Sequence, residues 1–223
     1  MRFDLVGTLL FLIGARLCAC QTPPEHQHVV GHGQSGFDAV KKALKQASII
    51  DEVIDDFEAK CFVAPYYGKK ERPVALGNVF KQPKTKKKPA LMIYCPHIKS
   101  TPGLTIALTD PDAPSRDDPK WSEMCHWIAI IPTSSHDGFE INLGGKTDVK
   151  ELVEYKLPGP PEKTGFHRYV FLLVEGDNRN LTAPEDRQHW GTGKERHGVR
   201  DWAKREVLEV IGANYFIEKN KKQ

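Results

Sequence analysis

From residue 61 onward the chain alternates short apolar runs with clusters of proline, glycine, aspartate and charged side chains. The runs at 61–67, 89–94, 104–109, 127–131, 139–143, 169–174 and 210–217 are short and rich in β-branched or aromatic residues. Each is closed by turn formers, so each reads as a strand. Two stretches have helical spacing instead. Phe37, Val40, Leu44 and Ala47 fall on one face of a helix, with Ser35 and Asp38 spaced as in a capping box at its start. Val199, Trp202, Ala203 and Val207 share one side of a second helix, near 199–206. Many strands and few helices predict a mainly β fold, antiparallel, with peripheral helices. No internal repeat or shift of composition marks a second domain.

Residues 1–20 are a different material. Arg2 precedes a stretch, 5–15, that is almost wholly apolar, and Leu17-Cys18-Ala19-Cys20 ends it in small residues. A membrane span needs about 20 apolar residues. This stretch is too short, so the reading is a signal peptide over 1–20, cleaved near Cys20–Gln21. A short uncleaved anchor and a lipoprotein signal are the rival readings. Residues 21–34 form a polar leader, and 35–223 a single domain. Asn180-Leu181-Thr182 is an N-glycosylation sequon, which fits a glycoprotein of the secretory pathway.

Composition changes this picture little. Of 223 residues 39% are hydrophobic, and 32 basic against 29 acidic residues leave a formal charge of +3. That balance provides no polyanion-binding field, so it implies neither nucleic acid nor an anionic membrane as partner. The lysine-rich run at 81–89 reads as a solvated connection. Beyond the signal peptide only Cys61, Cys95 and Cys125 remain, enough for one disulfide at most. Cys61 and Cys95 both fall on expected strands, but spacing cannot show whether their Cα atoms come within about 7 Å.

Three polar clusters sit at strand ends. Asp110-Pro111-Asp112-Ala113-Pro114-Ser115-Arg116 follows the 104–109 run, its prolines holding two carboxylates two residues apart. Its plainest reading is an aspartate-rich turn with Arg116 neutralising a carboxylate. Lys120-Trp121-Ser122-Glu123-Met124-Cys125-His126-Trp127 leads into the next run. Gly159-Pro160-Pro161, Thr164-Gly165 and His167-Arg168-Tyr169 lead into the 169–174 run. There the irregular backbone exposes amides, and His167 and Tyr169, two apart, share a strand face.

These three segments, in this order and spacing, resemble the signature segments of the phosphatidylethanolamine-binding protein family, and 74–80 fits the same pattern. The similarity covers roughly 48–217. It implies a central antiparallel sheet with a smaller second sheet, and a pocket made of Asp110, Pro114, His126, Gly159, Pro160, Pro161, His167 and Tyr169. The 120–126 segment is most similar to the fungal carboxypeptidase-inhibitor branch; animal relatives carry tryptophan and histidine where Met124 and Cys125 stand.

The resemblance implies a binding or regulatory protein, with a phospholipid headgroup or small phosphate-type anion as ligand. In such a pocket two partly protonated histidines and the Tyr169 phenol supply donors. Asp110 then accepts a proton from the phosphate or takes an ethanolamine ammonium. The alternative is inhibition of a serine carboxypeptidase in the secretory or vacuolar route.

No cofactor, metal or catalytic residue is expected. The chain has no Gly-x-Ser-x-Gly elbow, the signature of a strand-borne nucleophile. Cys125 and His126, adjacent on a strand, point to opposite faces and do not chelate. Gly31-His32-Gly33-Gln34-Ser35-Gly36 matches Gly-x-Gly-x-x-Gly, but no strand precedes it, so it is no dinucleotide site.

Overall fold

The computed structural model describes residues 34–68, 72–98, 100–132, 139–144 and 149–222. The expected signal peptide, 1–20, and all but the last residue of the expected leader, 21–34, lie outside the described residues. The first element is helix α1, Gln34–Gln46, which buries Phe37, Val40 and Leu44 as the spacing predicts. Ser35 is not its cap, because it already stands within the first turn. In place of a capping box, the Gln34 side-chain amide donates to Asp38 at 3.0 Å.

Among the described residues ten strands follow, in two sheets. The smaller has the order β2-β1-β4-β7, built from β1 (Phe62–Tyr67), β2 (Arg72–Pro73), β4 (Ala90–Cys95) and β7 (Phe139–Leu143). The larger has the order β3-β10-β9-β5-β6-β8. Its members are β3 (Asn78–Lys81), β5 (Leu104–Asp110), β6 (Met124–Ile131), β8 (Lys150–Val153), β9 (Phe166–Glu175) and β10 (Glu209–Lys219). Helix α2, Gly198–Arg205, lies between the last two in sequence. All neighbours are antiparallel except β3 and β10, which run parallel.

The central strands read as unbroken apolar runs because both their faces are covered. Along β9, Tyr169, Phe171 and Leu173 enter the core between the sheets. Val170, Leu172 and Val174 enter a second core roofed by α1, α2 and the 49–54 segment. In β6 this alternation breaks. A register shift between Leu108 and Thr109 on β5 puts Cys125 in the helix-side core and Trp127 in the inter-sheet core. Such a bulge re-aims side chains, and here it does so at His126.

Cys61 and Cys95 are joined, with Cα atoms 4.3 Å apart. The bond ties the start of β1 to the end of β4, one step beyond the Phe62–Tyr94 pair of their ladder. Cys125 is buried and free; burial pushes its thiol up to about 12, which makes it an inert core residue.

Candidate functional site

At one end of the large sheet β5 stops and β6 and β9 begin, and their connections enclose a cavity of about 290 Å³. Seven of the eight sequence-predicted residues line it: Asp110, Pro114, His126, Gly159, Pro161, His167 and Tyr169. Pro160 does not. It is buried, and its carbonyl accepts the side-chain amides of Gln82 (3.3 Å) and Asn220 (2.9 Å).

Sequence reasoning missed Ala113, Trp121, Met124, Lys156 and Leu157, which complete the wall. Lys156 and Leu157 stand just before the Pro158-Gly159-Pro160-Pro161 run, the one signal that pointed to them. They reach the cavity because Lys156 pairs with the free edge of β6. Its amide donates to the His126 carbonyl at 2.7 Å, and its own carbonyl accepts from His126 Nδ1 at 2.9 Å.

The first motif is held by hydrogen bonds that its residue types prescribe. The Asp112 amide donates to Asp110 Oδ1 at 2.8 Å, closing a turn on its own side chain. The Asp112 carboxylate is fully buried and faces Arg168, not Arg116 as the turn reading had it. Arg168 Nε and backbone N–H donate to Asp112 Oδ2, each at 2.9 Å, and Nη2 donates to Oδ1 at 2.7 Å. The same guanidinium donates to the Ala47 and Ser48 carbonyls after α1. Arg116 contributes its carbonyl, which accepts from Arg196. Further along the loop, the Ser122 hydroxyl donates to the Pro111 carbonyl at 2.7 Å and the Trp121 amide to that of Ala113 at 2.9 Å.

The two histidines are not equivalent. His167 Nδ1 lies 2.8 Å from Asp110 Oδ2 and Nε2 lies 3.0 Å from the Thr164 hydroxyl. That hydroxyl gives its single hydrogen to the Pro161 carbonyl at 2.9 Å, so Nε2 must be the donor to it. With Nδ1 facing a carboxylate, this arrangement of donors favours the doubly protonated imidazolium form of His167. Burial opposes that charge, but the hydrogen bond and charge of Asp110 outweigh it and raise the His167 pKa.

His126 goes the other way. Burial lowers its pKa, its Nδ1–H is committed to Lys156, and Nε2 has no hydrogen-bond partner among the described residues. Tyr169 packs edge-on to His126 at 5.3 Å. Burial, reinforced by the charge of Asp110, keeps its phenol protonated, and its oxygen accepts from the Gly159 amide at 3.3 Å. The floor is thus an ion pair of zero net charge, with a neutral imidazole and a phenol beside it. Among the described residues the one lysine of the wall, Lys156, is exposed.

Glu123 fastens this loop to α2. Its fully buried Oε2 accepts the Thr109 hydroxyl at 2.6 Å and the Val199 amide at 3.3 Å. Burial outweighs those donors and pushes the carboxyl up to about 7. A carboxyl harder to ionise folded than unfolded favours the fold fully below its unfolded value, near pH 4.3. That contribution is lost as pH rises through about 7. His126, held neutral, acts in the opposite sense only below about pH 6.5. Urea unfolding should therefore give a smaller free energy at pH 8 than at pH 6. Glu123→Gln should reduce that difference by about 1 kcal/mol; an unchanged slope in the variant would refute this account.

The match to known proteins runs through these segments. A family model described as phosphatidylethanolamine-binding protein matches residues 70–216. An uncharacterised protein of Saccharomyces cerevisiae is 34% identical over 193 residues, covering 82% of this chain and 94% of that one. The carboxypeptidase Y inhibitor of the same yeast is 31% identical over 225 residues, covering 86% and 98%. The crystal structure of carboxypeptidase Y inhibitor complexed with its cognate proteinase is similar at a TM-score of 0.71 with 32% identity, over 82% of this chain and 96% of the inhibitor.

Proposed function

The chain belongs to the phosphatidylethanolamine-binding protein family, and from that premise we propose that it is a non-enzymatic binding protein whose pocket takes a small phosphate-type anion or phospholipid headgroup. The observation that carries this reading is the convergence of Asp110, His126, Gly159, His167 and Tyr169 on one cavity of about 290 Å³, at the small end of the range for ligand sites. A headgroup fits that volume and acyl chains stay outside. Donors for the anion are the Tyr169 hydroxyl, the Lys156 ammonium at the rim and, when protonated, His126. The paired Asp110 carboxylate disfavours a bare dianion and favours a zwitterionic or monoprotonated phosphate.

Calorimetric titration with inorganic phosphate and, separately, glycerophosphoethanolamine tests the reading and distinguishes the free anion from the lipid headgroup. His126→Gln should weaken binding at least tenfold, about 1.4 kcal/mol, without unfolding the protein. A folded wild type that binds neither ligand overturns the reading.

A second reading, inhibition of a serine carboxypeptidase, is favoured by the 31% identity to carboxypeptidase Y inhibitor across 86% of the chain. The full chain should then slow a serine carboxypeptidase in the absence of any anion, and removing residues 21–34 should relieve the effect. Equal activity with and without the full chain sinks it.

A secretory or vacuolar location is supported by the buried Cys61–Cys95 disulfide, which suits an oxidising compartment. It is also supported by the exposure of Asn180 and Thr182 within their sequon. No helix among the described residues is long and apolar enough to cross a membrane. Produced in a eukaryotic host, the chain should reach the medium or vacuole with a glycosidase-sensitive mass that Asn180→Gln lacks. Retention in the cytosol without a glycan refutes this placement.

A further inference from the structure

Behind the pocket floor stands a second carboxyl that does not line the cavity. Glu218 on β10 is the Cα partner of His167 on β9, and it is fully buried. Its Oε1 has no hydrogen-bond partner among the described residues. Its Oε2 lies 2.7 Å from the hydroxyl oxygen of Thr85, and that same oxygen lies 3.1 Å from the Gln82 carbonyl. A threonine hydroxyl has one hydrogen. Both contacts are hydrogen bonds only if Glu218 is itself protonated, donating to Thr85 while Thr85 donates to Gln82. A neutral carboxyl also leaves the unpartnered Oε1 as a carbonyl oxygen, far less costly to bury than half of a carboxylate.

We propose that Glu218 sets which ligands the pocket accepts: with its proton the site takes anions, and without it the site turns them away. The inference rests on the anion-pocket reading. Two consequences of deprotonation act together. The floor, balanced by Asp110 and His167, would gain an uncompensated negative charge. The Thr85 hydrogen would turn to Glu218 and leave the Gln82 carbonyl, loosening the residue whose side-chain amide supports Pro160.

The titratable groups that face Glu218 are Asp110 on β5, His167 and Tyr169 on β9, Tyr67 on β1 and Tyr155 beyond β8. The tyrosines stay protonated across the physiological range. Their hydroxyls serve the same network, Tyr155 donating to the Thr85 carbonyl at 2.7 Å and lying 3.3 Å from the Tyr67 oxygen. His167 is the one cation of the set, and Asp110 already holds it. Burial, helped by the charge of Asp110, pushes the Glu218 carboxyl up to about 7. The change of state thus falls between a mildly acidic compartment and neutrality.

The test is calorimetric titration of the full chain with dimethyl phosphate, a monoanion whose own charge is constant over the range used. Wild type should bind on the order of tenfold more weakly at pH 8 than at pH 6. Glu218→Gln, isosteric and unable to ionise, should lose most of that difference, keeping only the smaller part that protonation of His126 contributes. A variant that keeps the wild-type loss overturns the proposal. A ligand-free readout separates the two ideas: the pH dependence of urea unfolding, compared between wild type and Glu218→Gln, reports the proton directly. If that comparison shows Glu218 already ionised at pH 6, the proposal fails whatever binds. If it shows the proton in place but wild type binds no anion at either pH, the pocket reading fails and takes this inference with it.

Discussion

A guanidinium with almost no solvent exposure needs a full set of acceptors, and the structure is arranged to supply them to Arg168. Asp112 takes it in a fork, Glu52 lies 3.0 Å away, and two carbonyls after α1 complete the set. The acceptors come from two distant stretches of chain, residues 47–52 after α1 and the turn after β5, so the cost of burying the charge is met only when both are in register with the start of β9. Removing one partner of such a pair typically costs about 3–5 kcal/mol, because the other is left buried and unpaired. The neighbours of Arg168 on β9 are His167 and Tyr169, and the neighbour of Asp112 across one proline is Asp110. The same constraint that orders the protein-stabilising pair therefore sets the spacing of the pocket floor.

That division of labour explains how the pocket can be both charged and quiet. The Asp110–His167 pair spends its hydrogen bonds internally, on the Asp112 amide, on Thr164 and on each other. What is left facing the cavity is a neutral imidazole edge, a phenol and the backbone near Gly159, within walls that are largely apolar. The two histidines, which look alike in the sequence, are separated in function by what their Nδ1 atoms touch: a carboxylate in one case, a carbonyl in the other.

Much of this was legible in the residues. The apolar runs that became β5, β6, β9 and β10 announce themselves because strands covered on both faces leave little room for polar side chains. β8 was missed since its Lys150-Glu151-Leu152-Val153 carries two charges at the sheet edge, where water can keep them. The β3/β10 pair was illegible for another reason: parallel pairing depends on where the chain returns, not on local pattern. Seven of the eight residues named from the resemblance line one cavity, and Pro160 does not, because its carbonyl serves as a brace. Arg116 was misjudged against Arg168 because proximity in sequence is a poor guide to partnership once the acceptor is buried. Glu218 carried no signal at all; an isolated glutamate near a run of lysines looks like surface until the strand is seen to have its other face covered.

The position of β10 has a consequence for how the protein comes into being. This strand, the last of those described, lies not at an edge but between β3 and β9. β3 has no other neighbour in the large sheet, yet its partner residues on β10 follow it by well over a hundred positions, as in the pairing of Asn78 with Phe216. At a synthesis rate of about 5–20 residues per second, β3 waits on the order of ten seconds after it is made before the strand it pairs with exists. For the last part of that interval, once β9 has also been made, the nascent chain carries two strands, β3 and β9, whose shared neighbour is still missing. The large sheet is thus completed from the inside, and β3 joins it only when β10 takes its place between its two neighbours.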